Sequence, residues 1–210
     1  MDGASPLPRF APAFTSLLRD ARRLVSLSVS GFDEELGQHG LFAAQHAVAL
    51  FAAALRSNTW LTRLELSSVR LWDVVERDVA VVAALVGHSS VTHVSLHSNR
   101  LLLVDRLAVG HALAQLVGAN APALAFLSVR SMELSEEGLR PVLAALPRNT
   151  HLRELECSEP WNGDIGKEFV RSTLVPAVRA NTSLRSLWAG EHGDPAEKIV
   201  AARTAANGRS

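Results

Sequence analysis

Between Asn149 and Cys157 the chain reads N-T-H-L-R-E-L-E-C, with apolar residues at Leu152, Leu155 and Cys157 and polar ones in the gaps. The same frame returns at Asn58 with Leu61, Leu64 and Leu66, and at Asn181 with Leu184, Leu187 and Ala189. Looser copies are Leu24/Leu27/Val29, Val91/Val94/Leu96 and Leu124/Leu127/Val129, the last with its Asn120 displaced by one residue. Six copies, beginning at residues 24, 61, 91, 124, 152 and 184, are the signature of a repeat architecture. Apolar–polar alternation makes each copy a short strand whose two faces differ chemically. A polar turn and then a long apolar segment follow each strand, so the unit is strand, turn, helix. One such unit cannot bury its own apolar face. The units must stack, with parallel strands as one wall and helices as the other.

Helices are expected over 13–23, 41–57, 75–87, 106–118, 136–146, 167–180 and 195–206. Asp73 and Glu76 have capping-box spacing, and Ser135 precedes Glu136 and Glu137, whose charges suit a helix N-terminus. Pro141 and Pro176 fall inside expected helices, so each of these should kink or begin late. Residues 1–23 read as a lead-in with a capping helix, 24–190 as the repeats, and 191–210 as a C-terminal capping helix and tail. Arg19, Arg22 and Arg23 read as the solvated face of the first helix.

Composition narrows the function classes. The 210 residues carry 21 basic and 21 acidic side chains, a balance that argues against a general nucleic-acid or anionic-membrane binder. Hydrophobic content of 48% with 20% charge provides ample material for a core. The single cysteine, Cys157, excludes an intrachain disulfide framework and a multi-cysteine zinc site, and suits a reducing compartment. The most apolar run, 41–55, is interrupted by Gln45 and His46 and is too short to span a bilayer. The N-terminus lacks the basic-then-apolar order of a signal peptide. A cytoplasmic location is therefore expected, with delivery into a host cell as the alternative. The 19 Arg against two Lys read as the codon usage of a GC-rich genome rather than a functional demand.

The run S-V-R-S-M-E-L-S-E-E-G-L-R-P-V-L-A-A-L-P-R-N-T-H-L-R-E-L, residues 128–155, resembles a leucine-rich repeat of the ribonuclease-inhibitor-like subclass. The resemblance extends over about residues 24–190. It implies an α/β solenoid of about six repeats, curved, with a concave parallel sheet and convex helices, that binds a protein partner and needs no cofactor. The chain departs from that pattern three residues past the last strand leucine. Asn99 alone supplies the usual Asn there, and the other copies have Phe32, Val69, Met132, Pro160 and His192. Repeats one, two and five carry expanded turns. The C-terminal third is also similar in architecture to the repeat domain of tropomodulins, which cap actin filaments.

Strand parity assigns the outward, concave positions. They are Ser26, Ser28 and Ser30; Arg63, Glu65 and Ser67; His93, Ser95 and His97; Phe126, Ser128 and Arg130; Glu154, Glu156 and Ser158; Ser186, Trp188 and Gly190. The candidate protein-binding residues among them are Arg63, Glu65, His93, His97, Phe126, Arg130, Glu154, Glu156 and Trp188. Phe126 and Trp188 stand out because aromatic and Arg side chains anchor interfaces. The alternative is that they cover neighbouring turns or the C-terminal cap. Glu154 and Glu156 are expected beside Arg130, with part of their charge neutralised across strands. His93 and His97 lie four residues apart on a strand, about 13 Å, too far for one metal ion. Cys157 should be a buried structural thiol. Gly163–Lys167 has the flavour of a phosphate loop but fails its spacing, and reads as a turn entering a helix. Trp161, in the expanded turn 158–166, either makes contacts or packs back on the helices.

These readings favour a non-enzymatic interaction module that binds its partner on the concave face. The alternative is an adaptor or secreted bacterial effector that recruits a host or cellular protein to an enzyme such as a ubiquitin ligase. A catalytic site built from His93, His97 and Glu65, and actin capping, are lesser possibilities.

Overall fold

The computed structural model describes residues 10–21, 23–31, 45–69, 71, 75–99, 106–157 and 165–208. The elements alternate throughout: α1 (Phe10–Asp20), β1 (Ser26–Ser30), α2 (Gln45–Ser57), β2 (Arg63–Ser67), α3 (Val75–Leu85), β3 (His93–Ser95) and α4 (Arg106–Gly118). Next come β4 (Phe126–Ser128), α5 (Ser135–Ala145) with a 3-10 turn at Leu146–Arg148, and β5 (Glu154–Glu156). α6 starts as Lys167–Phe169, widens to a π turn over Val170–Leu174 and resumes as Val175–Ala180; β6 (Ser186–Trp188) and α7 (Asp194–Asn207) close the chain. The six strands form one parallel sheet in the order β1-β2-β3-β4-β5-β6.

The strand alternation expected above is the register observed. Leu27, Leu64, Val94, Leu127, Leu155 and Leu187 lie side by side across the sheet. All six are buried, as are the flanking rows Leu61, Val91, Leu124, Leu152, Leu184 and Leu66, Leu96, Val129, Cys157, Ala189. Each fully buried Leu or Val contributes about 1.5–3 kcal/mol of transfer free energy, so these ladders hold the sheet to the helices. From the helix side Phe51, Val82, Leu113, Leu143, Leu174 and Val200 close the same core. At Gly110 in α4 and Gly138 in α5 the helix backbones touch. A Cβ on Gly110 would run into the Gly138 carbonyl, and one on Gly138 would lie 2.8 Å from the Arg106 oxygen. Gly is required at this crossing because nothing larger fits.

Neither proline delays the start of its helix. α5 runs through Pro141 from Ser135 and does not begin late. α6 also begins at Lys167, nine residues before Pro176. Its answer to the proline is the π turn, in which the Val175 N–H donates to the Val170 carbonyl, a five-residue step. Widening the ladder just ahead of Pro176 absorbs the missing donor without ending the helix. α3 stops at Leu85, two residues before the end expected, because Gly87 takes a left-handed φ of 71°. Glu136 and Glu137 occupy the first turn of α5, but the Glu136 carboxylate reaches across to accept the Gly166 N–H at 2.9 Å. Asp73, Arg22, Phe32, Pro160, Trp161 and the first two residues of Gly163–Lys167 lie outside the described residues.

Between each helix end and the next strand, one side chain satisfies the backbone. The Asn149 amide donates to the Val117 carbonyl at the end of α4 (2.8 Å), while its oxygen accepts from the His151 and Leu152 N–H groups (3.0 and 2.7 Å). Asn58 links the Leu18 carbonyl to Trp60 and Leu61 in the same way. Asn181 links the Leu146 carbonyl to Ser183 and Leu184. At the corresponding position of the third repeat stands His88. Its Nε2 faces the Leu55 carbonyl at 2.9 Å, and its Nδ1 accepts from Ser90 and Val91 at 3.4 and 3.3 Å. A carbonyl can only accept, so these partners assign the proton to Nε2. The fourth repeat has Ala121 there instead; the displaced Asn120 adopts φ 51° and bonds forward to Thr150.

At the other end of the strands, Asn99 donates to the Leu66 and Leu96 carbonyls and accepts from the Val69 and Leu71 N–H groups of the preceding repeat. Where the equivalent residue is Val69 or Met132 it is buried, and apolar filling replaces the hydrogen bonds. Neighbouring turns are also tied directly through their backbones, Ser98 N–H to Arg130 O and Gly31 N–H to Ser67 O. Ser68, Ser98 and Ser131, at one register position of three repeats, all take left-handed φ of 54–58°.

Two substitutions test this account by chemical denaturation. Leu64→Ala should cost about 2–5 kcal/mol by opening a cavity in the central ladder. Asn149→Ala should cost about 2–4 kcal/mol, because one carbonyl and two N–H groups lose their partner in a buried site.

Candidate functional site

Leucine ladders inward leave the alternate side chains of the sheet facing outward, and the register sorts them into rows. Ser26, Arg63, His93, Phe126, Glu154 and Ser186 form one row; Ser28, Glu65, Ser95, Ser128, Glu156 and Trp188 form the next. All nine candidate residues therefore share one face. His97 and Arg130 lie two residues beyond Ser95 and Ser128, on the same parity.

Three contacts organise this face. His93 and Phe126, opposite one another on β3 and β4, stack with ring centroids 5.6 Å apart and planes 25° apart. His97 Nε2 meets Glu65 Oε1 at 3.2 Å, while its Nδ1 lies 3.3 Å from Ser67 Oγ and 3.2 Å from Ser98 Oγ. Arg130 reaches over β5 and sets its guanidinium 3.3 Å from the centre of the Trp188 ring. A cation above an indole face is attracted by the ring quadrupole, and the planar guanidinium also stacks there.

Arg130 thus has a different partner from the one expected of it. Among the described residues it makes no ion pair with Glu154 or Glu156, and neither carboxylate has a basic partner. The reason is geometric: Trp188 stands in register with Glu156 on the next strand, and its ring offers the flat guanidinium a larger contact. Trp188 remains 40% exposed, Glu154 and Arg63 are exposed, and Phe126 is half-buried by its stack with His93. Ser67 and Ser128, outward by parity, are only 2% exposed. Short side chains on a face of longer ones are shaded, and for Ser67 the covering group is the His97 ring. Ser158 lies outside the described residues.

His97 and Glu65 come together, whereas His93 turns to Phe126 and to the Thr92 hydroxyl 2.7 Å away. Among the described residues no three His, Cys, Asp or Glu side chains are placed to hold a metal ion. Cys157 is buried in the core ladder, as its position in the repeat requires. Arg19 is half of an exposed pair with Asp20 at 2.9 Å, and its hydrogen bond holds that carboxyl below the usual carboxylate range. No described helix is long and apolar enough to cross a membrane.

A second concavity lies on the helical side. A cleft of about 560 Å³ separates α6 from the turn into α7, with Lys167, Arg171 and Arg179 along one wall and Glu191, His192 and Asp194 along the other. Nothing in the repeat pattern marks it, since it depends on how α6 packs beside the C-terminal turn. The Arg130–Trp188 contact was equally hidden, the two residues being 58 positions apart (188 − 130). His88 was legible: it stands three residues before Val91, as Asn58 stands before Leu61.

No protein-family profile matches this sequence, and no curated protein does. Among solved structures, leiomodin-1 actin-binding site 2 is similar at 15% identity and TM-score 0.50, over 98% of this chain and 91% of that one. The tropomodulin C-terminal domain of Caenorhabditis elegans is similar at 13% identity and TM-score 0.53, over 95% and 93%. The leucine-rich repeat-containing protein LegL7 from Legionella pneumophila is similar at 17% identity and TM-score 0.53, over 87% of this chain and 51% of that one. The fold is a leucine-rich-repeat solenoid. Its open sheet face is the concave one.

A double-mutant cycle on Arg130→Ala and Trp188→Ala, read by thermal and denaturant unfolding, should show a coupling of about 1 kcal/mol for this partly exposed cation–π pair. Strict additivity would mean that the contact contributes nothing.

Proposed function

We propose that the chain is a non-enzymatic protein-binding module of the ribonuclease-inhibitor-like type, which meets its partner on the concave face. One observation carries the reading. An arginine-clamped tryptophan, partly exposed, stands beside two carboxylates with no basic partner among the described residues. A rigid aromatic anchor rimmed by unsatisfied charge is what a protein interface requires. The Glu154 and Glu156 end favours a basic patch on the partner. The His97–Glu65 pair, with the Ser67 and Ser98 hydroxyls at the other ring nitrogen, supports the module by bracing β2 against the turn that follows β3. The buried thiol of Cys157 fits a reducing, cytoplasmic setting.

A second reading rests on the similar leiomodin-1 domain, which is described as an actin-binding site. Actin is accordingly the first named protein to test. Cosedimentation with filaments, with and without the concave variant, decides it, and absence of binding dismisses it.

The general test is capture from the source cell's lysate by the intact protein and by a variant with Arg63, Phe126, Arg130 and Glu156 all changed to Ala. The variant must first match wild type in circular dichroism and thermal melt. A partner held by wild type and lost, or weakened at least tenfold, by the variant is the expected result. Equal capture by both would move the site to the helical side, where the α6–α7 cleft is the next candidate.

A further inference from the structure

The two edges of the sheet are finished differently. At β6 the outward backbone groups are the Arg185 carbonyl and those of Leu187 and Ala189, since the Arg185 N–H and the Trp188 carbonyl face β5. α7 covers this edge: Thr204 Oγ1 donates to the Arg185 carbonyl at 3.0 Å, and Glu197 Oε1 accepts the Ala189 N–H at 2.8 Å. At β1 the Val25 carbonyl and the Gly31 N–H both face β2, which turns the N–H and C=O groups of Ser26, Ser28 and Ser30 outward. Among the described residues nothing bonds to them.

Nor does the β1 edge carry the features that keep strand edges apart. Residues 24–31, L-V-S-L-S-V-S-G, contain no charge and no proline, and β1 spans five residues where β6 spans three. Val25 is 55% exposed beside it. The strand is also its own complement. Reversed about Ser28, S-L-S-V-S again places Ser opposite Ser and an apolar residue opposite an apolar one.

We propose that two copies of this chain associate through β1, antiparallel about a two-fold axis at Ser28, to form one continuous sheet. Ser28 then pairs with the partner's Ser28, and Ser26 with the partner's Ser30, each pair exchanging both backbone hydrogen bonds. Leu27 lies opposite the partner's Val29 on the core side, so neither copy turns an apolar side chain to the solvent face. The β2 to β5 strands could not do this, being paired on both sides, and β6 is closed by α7. A single short strand pair covers less than the roughly 1,200 Å² of a stable interface, so association is weak and rises with concentration. Because the two-fold passes through Ser28, any substitution there meets itself.

Sedimentation equilibrium and native mass spectrometry of the full chain, up to about 100 µM, test the proposal, since weak dimers assemble only near such concentrations. Wild type should move with concentration from 22.6 kDa toward twice that mass. Ser28→Lys, which sets two cations against each other on an exposed position, should remain monomeric with an unchanged melt, and Ser28→Thr should still associate. Ser28→Cys should yield a covalent dimer under mild oxidation, since paired Cα atoms near 5.5 Å lie within disulfide range. A wild type that stays at the monomer mass throughout would overturn the proposal, whether another segment or another protein occupies the edge. A dimer that survives Ser28→Lys and gives no Ser28→Cys cross-link would place self-association elsewhere and overturn it equally.

Discussion

Every repeat must turn the chain from the end of a helix into the start of a strand inside a layer that water does not reach. That turn leaves a helix carbonyl and two strand-side N–H groups without partners, and a carboxamide with one donor end and one acceptor end satisfies all three. Asn58, Asn149 and Asn181 do so with nearly identical geometry, and each reaches back to the preceding repeat. The ladder is therefore what couples one unit to the next: the carbonyl it satisfies belongs to a different unit from the N–H groups. His88 can stand in because a neutral imidazole also has one donor and one acceptor nitrogen. Ala121 cannot, and there the chain resorts to a left-handed Asn120 that ties the next turn from outside.

The same stacking decides what the concave face presents. Once the leucine ladders claim one parity, the other parity is delivered to solvent in rows about 4.8 Å apart, whatever the side chains are. At that spacing flat groups lie face to face, which gives the His93–Phe126 stack, and a long side chain can pass over one strand to reach the next but one, which gives Arg130 on Trp188. Arg130 sets its charge over a ring, which leaves Glu154 and Glu156 without a basic partner among the described residues. The asymmetry continues to the sheet edges: α7 closes the C-terminal edge with two side-chain hydrogen bonds, while the serine backbone groups of β1 have no partner among the described residues.

The fold was legible because period-2 alternation and its recurrence are properties of the chain read in one dimension. Strand positions, the parallel order, the burial of Cys157 and most helix bounds followed from them. The late start that the prolines allowed did not occur, because a rule about one missing donor does not foresee that α6 can widen into a π turn around Pro176. Within the candidate face, membership followed from parity alone, but partners did not. The choice of Trp188 over Glu154 and Glu156 for Arg130, and the shading of Ser67 beneath His97, depend on side-chain length and direction across strands.

The amino-acid sequence by itself determined the repeat, the register and the identity of the side chains on each face, because these are set by local backbone geometry and by which residues avoid water. Tertiary structure alone decided which of those side chains touch, how α4 and α5 close to backbone contact at Gly110 and Gly138, and which sheet edge α7 covers. These are relations between residues about thirty or more positions apart, and they exist only once stacked units bring neighbouring strands and helices within reach of one another.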